Sequence, residues 1–154
     1  MERLTLEAGD RPRILIRSIG GDLRLVGTGG TLIEAQSASK GALTLAREAG
    51  QFVITSRVGC LVFAPVASEV QVDSIGGGAR VTGLSGTVKI ATLGGDASLR
   101  RVGGTSVGRV GGDLRFHRGS GDLSAEWIGG DASIGLVSGN VRIENLGGNL
   151  ALRE

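Results

Sequence analysis

The chain has 154 residues, a length that suits one domain, and 40% of them are apolar, which is enough for a hydrophobic core. Its net charge is only +2, with the two signs interleaved along the chain, so no basic block predicts a nucleic-acid partner. No apolar run approaches the ~20 residues that a membrane-spanning helix needs. Glycine is unusually frequent at 29 residues, with only two prolines, and this excludes collagen and argues against a disordered linker.

Cys60 is the one cysteine, so no disulfide can form within the chain. It lies in the apolar stretch VGCLVFAPV, where we expect a small buried thiol rather than a nucleophile. The first residues, MERLTLEAGDRPRILIRS, lack the apolar segment of a signal peptide. The sequence therefore predicts a soluble cytoplasmic protein, with an extracellular or cell-surface location as the alternative if it is a trimmed form.

The first half of the chain predicts strands of mixed regularity. The alternating segments RLTLEA and RILIRS come first, and two short units, IGGDLRLVG and TGGTLIEAQ, follow. Residues 37–74 lose the glycine pattern but still predict strands in GALTLARE, QFVITSRV, CLVFAPV and EVQVDS. No linker composition separates this half from the rest. We therefore expect one domain over residues 1–154, with less regular coils in 1–74 and regular repeats in 75–154.

From residue 75 onward a unit of about nine residues repeats. Each unit has an apolar residue, a Gly-Gly or Ser-Gly pair, usually Asp, Asn or Thr, and then alternating apolar positions. The units are IGGGARVTG, LSGTVKIAT, LGGDASLRR, VGGTSVGR, VGGDLRFHR, GSGDLSAEW, IGGDASIGL, VSGNVRIEN and LGGNLALRE. The unit at 102–109 is one residue short, which predicts a bulge or a tightened corner there.

Each unit predicts a short strand after a turn. Apolar pairs such as Leu23/Leu25, Val88/Ile90 and Leu114/Phe116 flank a mostly polar residue, which indicates one buried and one solvated face. We expect the glycines to supply positive φ at the turns, and Asp to accept a hydrogen bond from a nearby backbone N–H. A unit this short can bury itself only against copies of itself. The sequence therefore predicts an all-β, single-domain β-solenoid, parallel β-helix-like, with about two nine-residue units per coil.

The order of these pieces adds a family resemblance. RILIRSIGGDLRLVG is followed by irregular strands, then by FAPVASEVQVDSIGGGARVTG, then by Gly-Gly and Ser-Gly repeats to the end. This arrangement resembles the bacterial putative-adhesin β-solenoid family of unknown function, over nearly the whole chain from about Ile14. The resemblance implies a β-solenoid whose relatives are often extracytoplasmic or follow a membrane segment. It implies no catalytic residues.

A metal site is the first chemistry to consider. Calcium-binding β-rolls share the nine-residue step and the Gly-Gly pair, and stacked units would align Asp96, Asp113 and Asp131 in a column. Calcium needs 6–8 oxygen ligands, whereas each unit supplies at most one carboxylate. We expect solvated turn aspartates, offset by Arg101, Arg115 or Arg118, and no metal or cofactor; a calcium-binding β-roll is the alternative.

Catalysis finds no support in the residue pattern. His117 is the only histidine, and RFHRG places it on the outward side of its strand, so we expect a surface residue. Trp127 is expected at a corner over the core edge, or as a contact for a partner. No helix follows the glycines, which excludes a phosphate-binding GxGxxG loop. We therefore predict that the protein is not an enzyme.

The last unit, LGGNLALRE, runs in register to residue 154 without a cap, although repeat arrays need polar caps. We expect end-on self-association through residues 137–154, with Leu146, Leu150 and Leu152 at the contact, and through the N-terminal strands RLTLEA and RILIRS. The product would be a homodimer or a filament. The alternative is an adhesin-like module whose outward Arg24, Arg80, Arg115 and Arg142 bind acidic glycans, other polymers or lipids.

Overall fold

The computed structural model describes residues 2–9, 12–37, 41, 43–48 and 50–153. Over these residues the protein is all-β, with two large sheets and no helix, as the sequence predicts. The strands, in chain order, are β1 (Glu2–Glu7), β2 (Arg13–Ile19), β3 (Leu23–Thr28), β4 (Leu32–Ser37), β5 (Leu43–Glu48), β6 (Gln51–Ser56), β7 (Cys60–Pro65), β8 (Glu69–Ile75), β9 (Ala79–Thr82), β10 (Val88–Leu93), β11 (Ala97–Arg100), β12 (Thr105–Val110), β13 (Leu114–His117), β14 (Leu123–Ile128), β15 (Ala132–Gly135), β16 (Val141–Leu146) and β17 (Leu150–Arg153).

Successive strands of the second half alternate between the two sheets. The nine-stranded sheet has the order β1-β4-β7-β3-β9-β11-β13-β15-β17, and the eight-stranded sheet has the order β16-β14-β12-β10-β8-β2-β6-β5. All pairs from β8 to β17 are parallel and in constant register. In this half the turns before the short strands of the nine-stranded sheet carry Gly-Gly, and those before the longer strands β10, β14 and β16 carry Ser-Gly, whereas Gly103-Gly104 precedes the longer strand β12. We call one strand from each sheet, taken together, a rung.

The core is built from inward side chains that repeat at the same position in every rung. One column of the nine-stranded sheet runs through Leu25, Val81, Leu99, Phe116, Ile134 and Leu152. All of these except Leu152 are buried, and they join the inward residues of the eight-stranded sheet in one hydrophobic cluster. The sequence prediction of alternating inward and outward positions is thus confirmed.

The N-terminal half departs from the expected coils. β4 pairs antiparallel with β7, β1 pairs antiparallel with β4, and β5 pairs antiparallel with β6. The segment RILIRS, expected at an association edge, forms most of β2 and is fully paired between β6 and β8. That prediction was wrong because an alternating apolar strand looks the same in sequence whether it is an edge or a central strand. RLTLEA does lie at an edge, as β1.

The Gly-Gly pairs are needed for close approach, not for positive φ. Among described glycines, only Gly9, Gly41, Gly50 and Gly83 have φ in the left-handed region, and none of these belongs to a repeat pair. A Cβ on Gly112 would instead overlap the carboxylate of Asp96 from the preceding rung. A Cβ on Gly94, Gly111, Gly129 or Gly147, each the first glycine of its pair, would lie 2.3–2.6 Å from a carbonyl oxygen of the preceding rung. The expectation of positive-φ turns was therefore wrong, since the stacking of rungs decides these positions.

Left-handed φ occurs at a different corner, directly after the short strands. Gly83, Arg101, Arg118 and Leu136 follow β9, β11, β13 and β15 and have φ of 77°, 55°, 59° and 53°. The short unit at 102–109 shortens the corner that follows Arg101. Thr105 there occupies the inward register position of Val88 and Leu123, and its hydroxyl donates to the carbonyl of Gly103. The expected tightened corner is present.

Candidate functional surfaces

The turn aspartates form a ladder of hydrogen bonds between rungs. Oδ1 of Asp96 accepts from the backbone N–H of Asp113, whose own Oδ1 accepts from Asp131, both at 2.8 Å. The same bond joins Asp22 to Gly78, Asp131 to Asn149 and Asp122 to Asn140. Each carboxylate thus caps an N–H of the next rung, which offsets the repulsion of like charges spaced about 5 Å apart.

These hydrogen bonds give Asp96, Asp113 and Asp131 a structural role. The expected partners of the column were arginines, but the ion pairs of the described residues involve Arg3, Arg13, Arg17 and Arg142. The described residues contain no group of three or more His, Cys, Asp or Glu side chains placed to hold a metal ion. One oxygen of each ladder carboxylate is already occupied by an N–H. The calcium-binding alternative stays an untested prediction.

Cys60 is buried at the start of β7, as the sequence predicts. Burial raises the pKa of its thiol to about 11 and outweighs a backbone hydrogen bond with Gln36, which lowers that pKa. A thiol is reactive mainly as the thiolate, so a raised pKa makes it a poor nucleophile at neutral pH. Its contribution is to packing.

His117 and Trp127 lie on opposite sheets. His117 ends β13 on the outward side, half-buried, and its Nδ1 is enclosed without a hydrogen-bond partner among the described residues. Trp127 lies on β14 beside Arg109 of β12 and is 43% exposed. Trp127 leaves a large apolar surface in solvent at an outward position.

The C-terminal rung, β16 and β17, has no strand on its outer side within the described chain. Leu150 and Leu152 continue columns in which Ala132 and Ile134 are 1% and 2% exposed, yet they are themselves 47% and 63% exposed. Leu146 on β16 is half-buried, below the fully buried Ile128. Inward side chains of this rung therefore have a neighbour on one side only.

The outward face of the nine-stranded sheet carries an arginine cluster. The register places Arg24 beside Arg80, and Ser98 between Arg80 and Arg115. The neighbouring outward column holds Thr82, Arg100 and His117. Arg142, which the sequence placed with the first three, lies on the eight-stranded sheet and pairs with Glu144 at 3.5 Å. Sequence analysis missed Arg100 because it follows the central outward position by two residues, at the end of its strand.

Comparisons with known proteins show a shared fold only. No family model matches the chain. No curated protein matches it. Among solved structures, a putative adhesin from Bacteroides fragilis NCTC 9343 is similar with a TM-score of 0.51 and 11% identity, over 98% of this chain and 96% of that one.

Two further structures align over nearly their whole length. A putative cell adhesion protein from Clostridium sporogenes ATCC 15579 gives a TM-score of 0.40 at 9% identity, covering 99% of this chain and 98% of that chain. A putative lipid binding protein from Parabacteroides distasonis ATCC 8503 gives 0.33 at 12% identity, covering 98% and 93%. The class that the fold defines is an all-β protein of two large sheets, similar in fold to the Bacteroides protein. No helix among the described residues is long and apolar enough to span a membrane.

Proposed function

We propose that the chain is a non-enzymatic β-solenoid that self-associates through its C-terminal rung to form a homodimer. The observation that carries this proposal is the exposure of Leu150 and Leu152, at 47% and 63%, in columns that are otherwise buried. Full burial of a leucine side chain stabilises by about 1.5–3 kcal/mol, so covering two half-exposed leucines recovers about half of that for each. A second copy also pairs the free backbone N–H and C=O groups of β16 and β17.

The structure of the other end favours a closed dimer over a filament. There the outermost strands are β1 and β5, which run antiparallel to their neighbours and carry charged residues such as Arg3, Glu7, Arg47 and Glu48. Charged edges of this kind hinder strand addition. A head-to-tail filament needs this end to receive β16 and β17, whereas a two-fold dimer uses the C-terminal rung of both copies.

The test measures mass against concentration by light scattering after size exclusion. We expect a dimer, and we expect Leu152→Asp to yield a monomer because a charge would be buried at the contact. Ala151→Asp is the matched control, since it adds the same charge on the outward side of the same strand. A wild-type monomer at high concentration, or an association that both variants weaken equally, overturns the proposal.

A second candidate function is favoured by the outward column of arginines. Arg24, Arg80 and Arg115 lie in one line on the nine-stranded sheet and are exposed. We propose that an adhesin-like role would use this face to bind acidic polymers. Self-association and this binding use different surfaces, so one protein can perform both.

A further inference from the structure

The arginine cluster surrounds a shallow depression of about 370 Å³ on the outward face of β9, β11 and β13. Arg80, Arg100, Arg115 and His117 line it, together with the hydroxyl residues Ser98 and Ser133. Ser98 lies at the middle of the group, because it pairs with Arg80 on one side and with Arg115 on the other. Arg100 lies on the same strand as Ser98, two residues on.

The arginines of this depression form no ion pair within the described chain. The outward positions of β9, β11 and β13 are Arg80, Thr82, Ser98, Arg100, Arg115 and His117, none of which is acidic. The four ion pairs of the described residues use other arginines. Asp96 and Asp113 lie in the turns before β11 and β13, where each accepts a backbone N–H, and Asp96 lines an adjoining depression with Arg24 and Arg80 without forming an ion pair. Concentrated positive charge on one face attracts anions from solution.

The spacing of the cluster suits several anionic groups in a row. Neighbouring strands are about 4.8 Å apart, so Arg80 and Arg115 are separated by about 10 Å, and Arg24 extends the row by one strand beyond Arg80. A guanidinium presents a planar fork that matches the oxygens of a carboxylate or sulfate. The hydroxyl of Ser98 lies between Arg80 and Arg115, and the hydroxyls of Thr82 and Ser133 line the same depression. All three are hydrogen-bonding groups for neutral polar parts of a ligand.

We propose that this depression binds the carboxylate or sulfate groups of a linear acidic polysaccharide. The proposal rests on the second candidate function and gives it a site and a ligand chemistry. Single-stranded nucleic acid is disfavoured because its binding uses aromatic side chains for base stacking, and the outward positions of β9, β11 and β13 hold none. A lipid surface is disfavoured because those positions hold no apolar side chain to insert into it.

The test uses heparin, a linear sulfated polysaccharide, with binding followed by calorimetry at low and high salt. Ser98→Glu places a carboxylate at the centre of the cluster, and we expect it to weaken heparin binding by about tenfold, since it pairs with the arginines that hold the ligand. Ser124→Glu is the matched control, because Ser124 is an outward serine at the second position of β14 on the other sheet, as Ser98 is at the second position of β11. We expect that variant to bind within about threefold of wild type.

A second pair of variants separates an effect on heparin binding from an effect of Ser98→Glu on the fold. The triple change Arg80→Ser, Arg100→Ser and Arg115→Ser is compared with Arg13→Ser, Arg109→Ser and Arg142→Ser, which removes the same charge from the eight-stranded sheet. Thermal unfolding of all variants confirms that they are folded. Loss of binding in the first triple variant alone supports the site.

Each other outcome overturns part of the proposal. Equal loss in both triple variants shows a general effect of net charge and removes the site. Site-dependent binding that is tighter to phosphatidylserine vesicles or to single-stranded DNA removes the polysaccharide as ligand. No binding of heparin by the wild type overturns this site and the second candidate function together. Light scattering on the same samples reports self-association separately, so failure of the dimer is not mistaken for failure of the site.

Discussion

At the C-terminal end of the molecule every strand runs parallel to its neighbour and in register with it, whereas at the N-terminal end β1, β4 and β5 reverse direction. β4 follows the Gly29-Gly30 pair and is nevertheless antiparallel, so a Gly-Gly pair alone does not set the strand direction. Leu4, Leu6 and Leu45 pack partly against the core at that end, while Leu150 and Leu152 stay exposed at the other. Within the described residues, the parallel in-register strands share one continuous core, whose inward leucines become exposed at β17.

The difference has a simple physical basis. In the repeat region each rung presents the same surface to the next, because the same glycine, aspartate and inward positions recur. The backbone N–H and C=O groups and the inward side chains of such a rung are matched by those of another rung. The antiparallel strands present a different surface, with charged residues along their edges, and such edges resist further pairing.

The largest contrast lies within one core column. Leu99 is 1% exposed in the middle of the column, and Leu152 is 63% exposed at its end. We expect Leu99→Ala to lower the free energy of unfolding by about 3 kcal/mol, and Leu152→Ala by about 1 kcal/mol or less in dilute solution. Urea unfolding of both variants measures this. Comparable losses at low concentration would mean that Leu152 is covered even in the monomer.

Glycines of the two regions should respond differently to a methyl group. A Cβ on Gly112 would overlap the Asp96 carboxylate, whereas Gly29 near the N-terminal end has open space around it. We expect Gly112→Ala to lower the free energy of unfolding by about 2 kcal/mol. Gly29→Ala should leave stability unchanged or raise it slightly, because alanine reduces the freedom of the unfolded chain. Thermal or urea unfolding compares them, and a tolerated Gly112→Ala would contradict the close-packing explanation.

Substitutions in the aspartate ladder are expected to change the free energy of unfolding least. Asp113 accepts an N–H of the next rung, while the side chain of Asn149 has no described rung beyond it to cap. Asp113→Ala should lower the free energy of unfolding by about 1 kcal/mol, and Asn149→Ala by close to zero. Asp113→Asn keeps an acceptor oxygen and serves as the control for charge. Unfolding curves at neutral pH decide this. The ladder has no energetic role if Asp113→Ala matches wild type.

Local patterns predicted the strands well, because alternation and turn residues act within a few positions of each other. Leu114 and Phe116 are buried around an exposed Arg115, as expected. The reason for the Gly-Gly pairs could not be found this way, since Gly112 is constrained by Asp96, sixteen residues earlier in the chain and one rung away. Pairing direction also escaped prediction. Nothing in GALTLARE distinguishes an antiparallel strand from a parallel one.

The C-terminal leucines and the arginine cluster were predicted only in part, because a local pattern identifies outward and inward positions but not which strands become neighbours. Leu150 and Leu152 were identified because they continue a regular pattern to its last member. The arginine cluster depends on which strands become neighbours, and Arg24 and Arg80 are 56 residues apart in sequence although they lie on adjacent strands. Arg142 shares their position within the repeat but belongs to the other sheet. Only the alternation of strands between sheets separates the two groups.

The constant register of the repeat region has an evolutionary consequence. Equivalent residues such as Asp113 and Asp131 are 18 positions apart and make the same hydrogen bond to the next rung. A tandem duplication of one such segment in the gene would add one rung, about 4.8 Å of height, with the register and the ladder bond kept. A deletion of the same size would remove one. Recombination can therefore change the number of rungs one at a time. The strands at the two ends of the sheets stay the same.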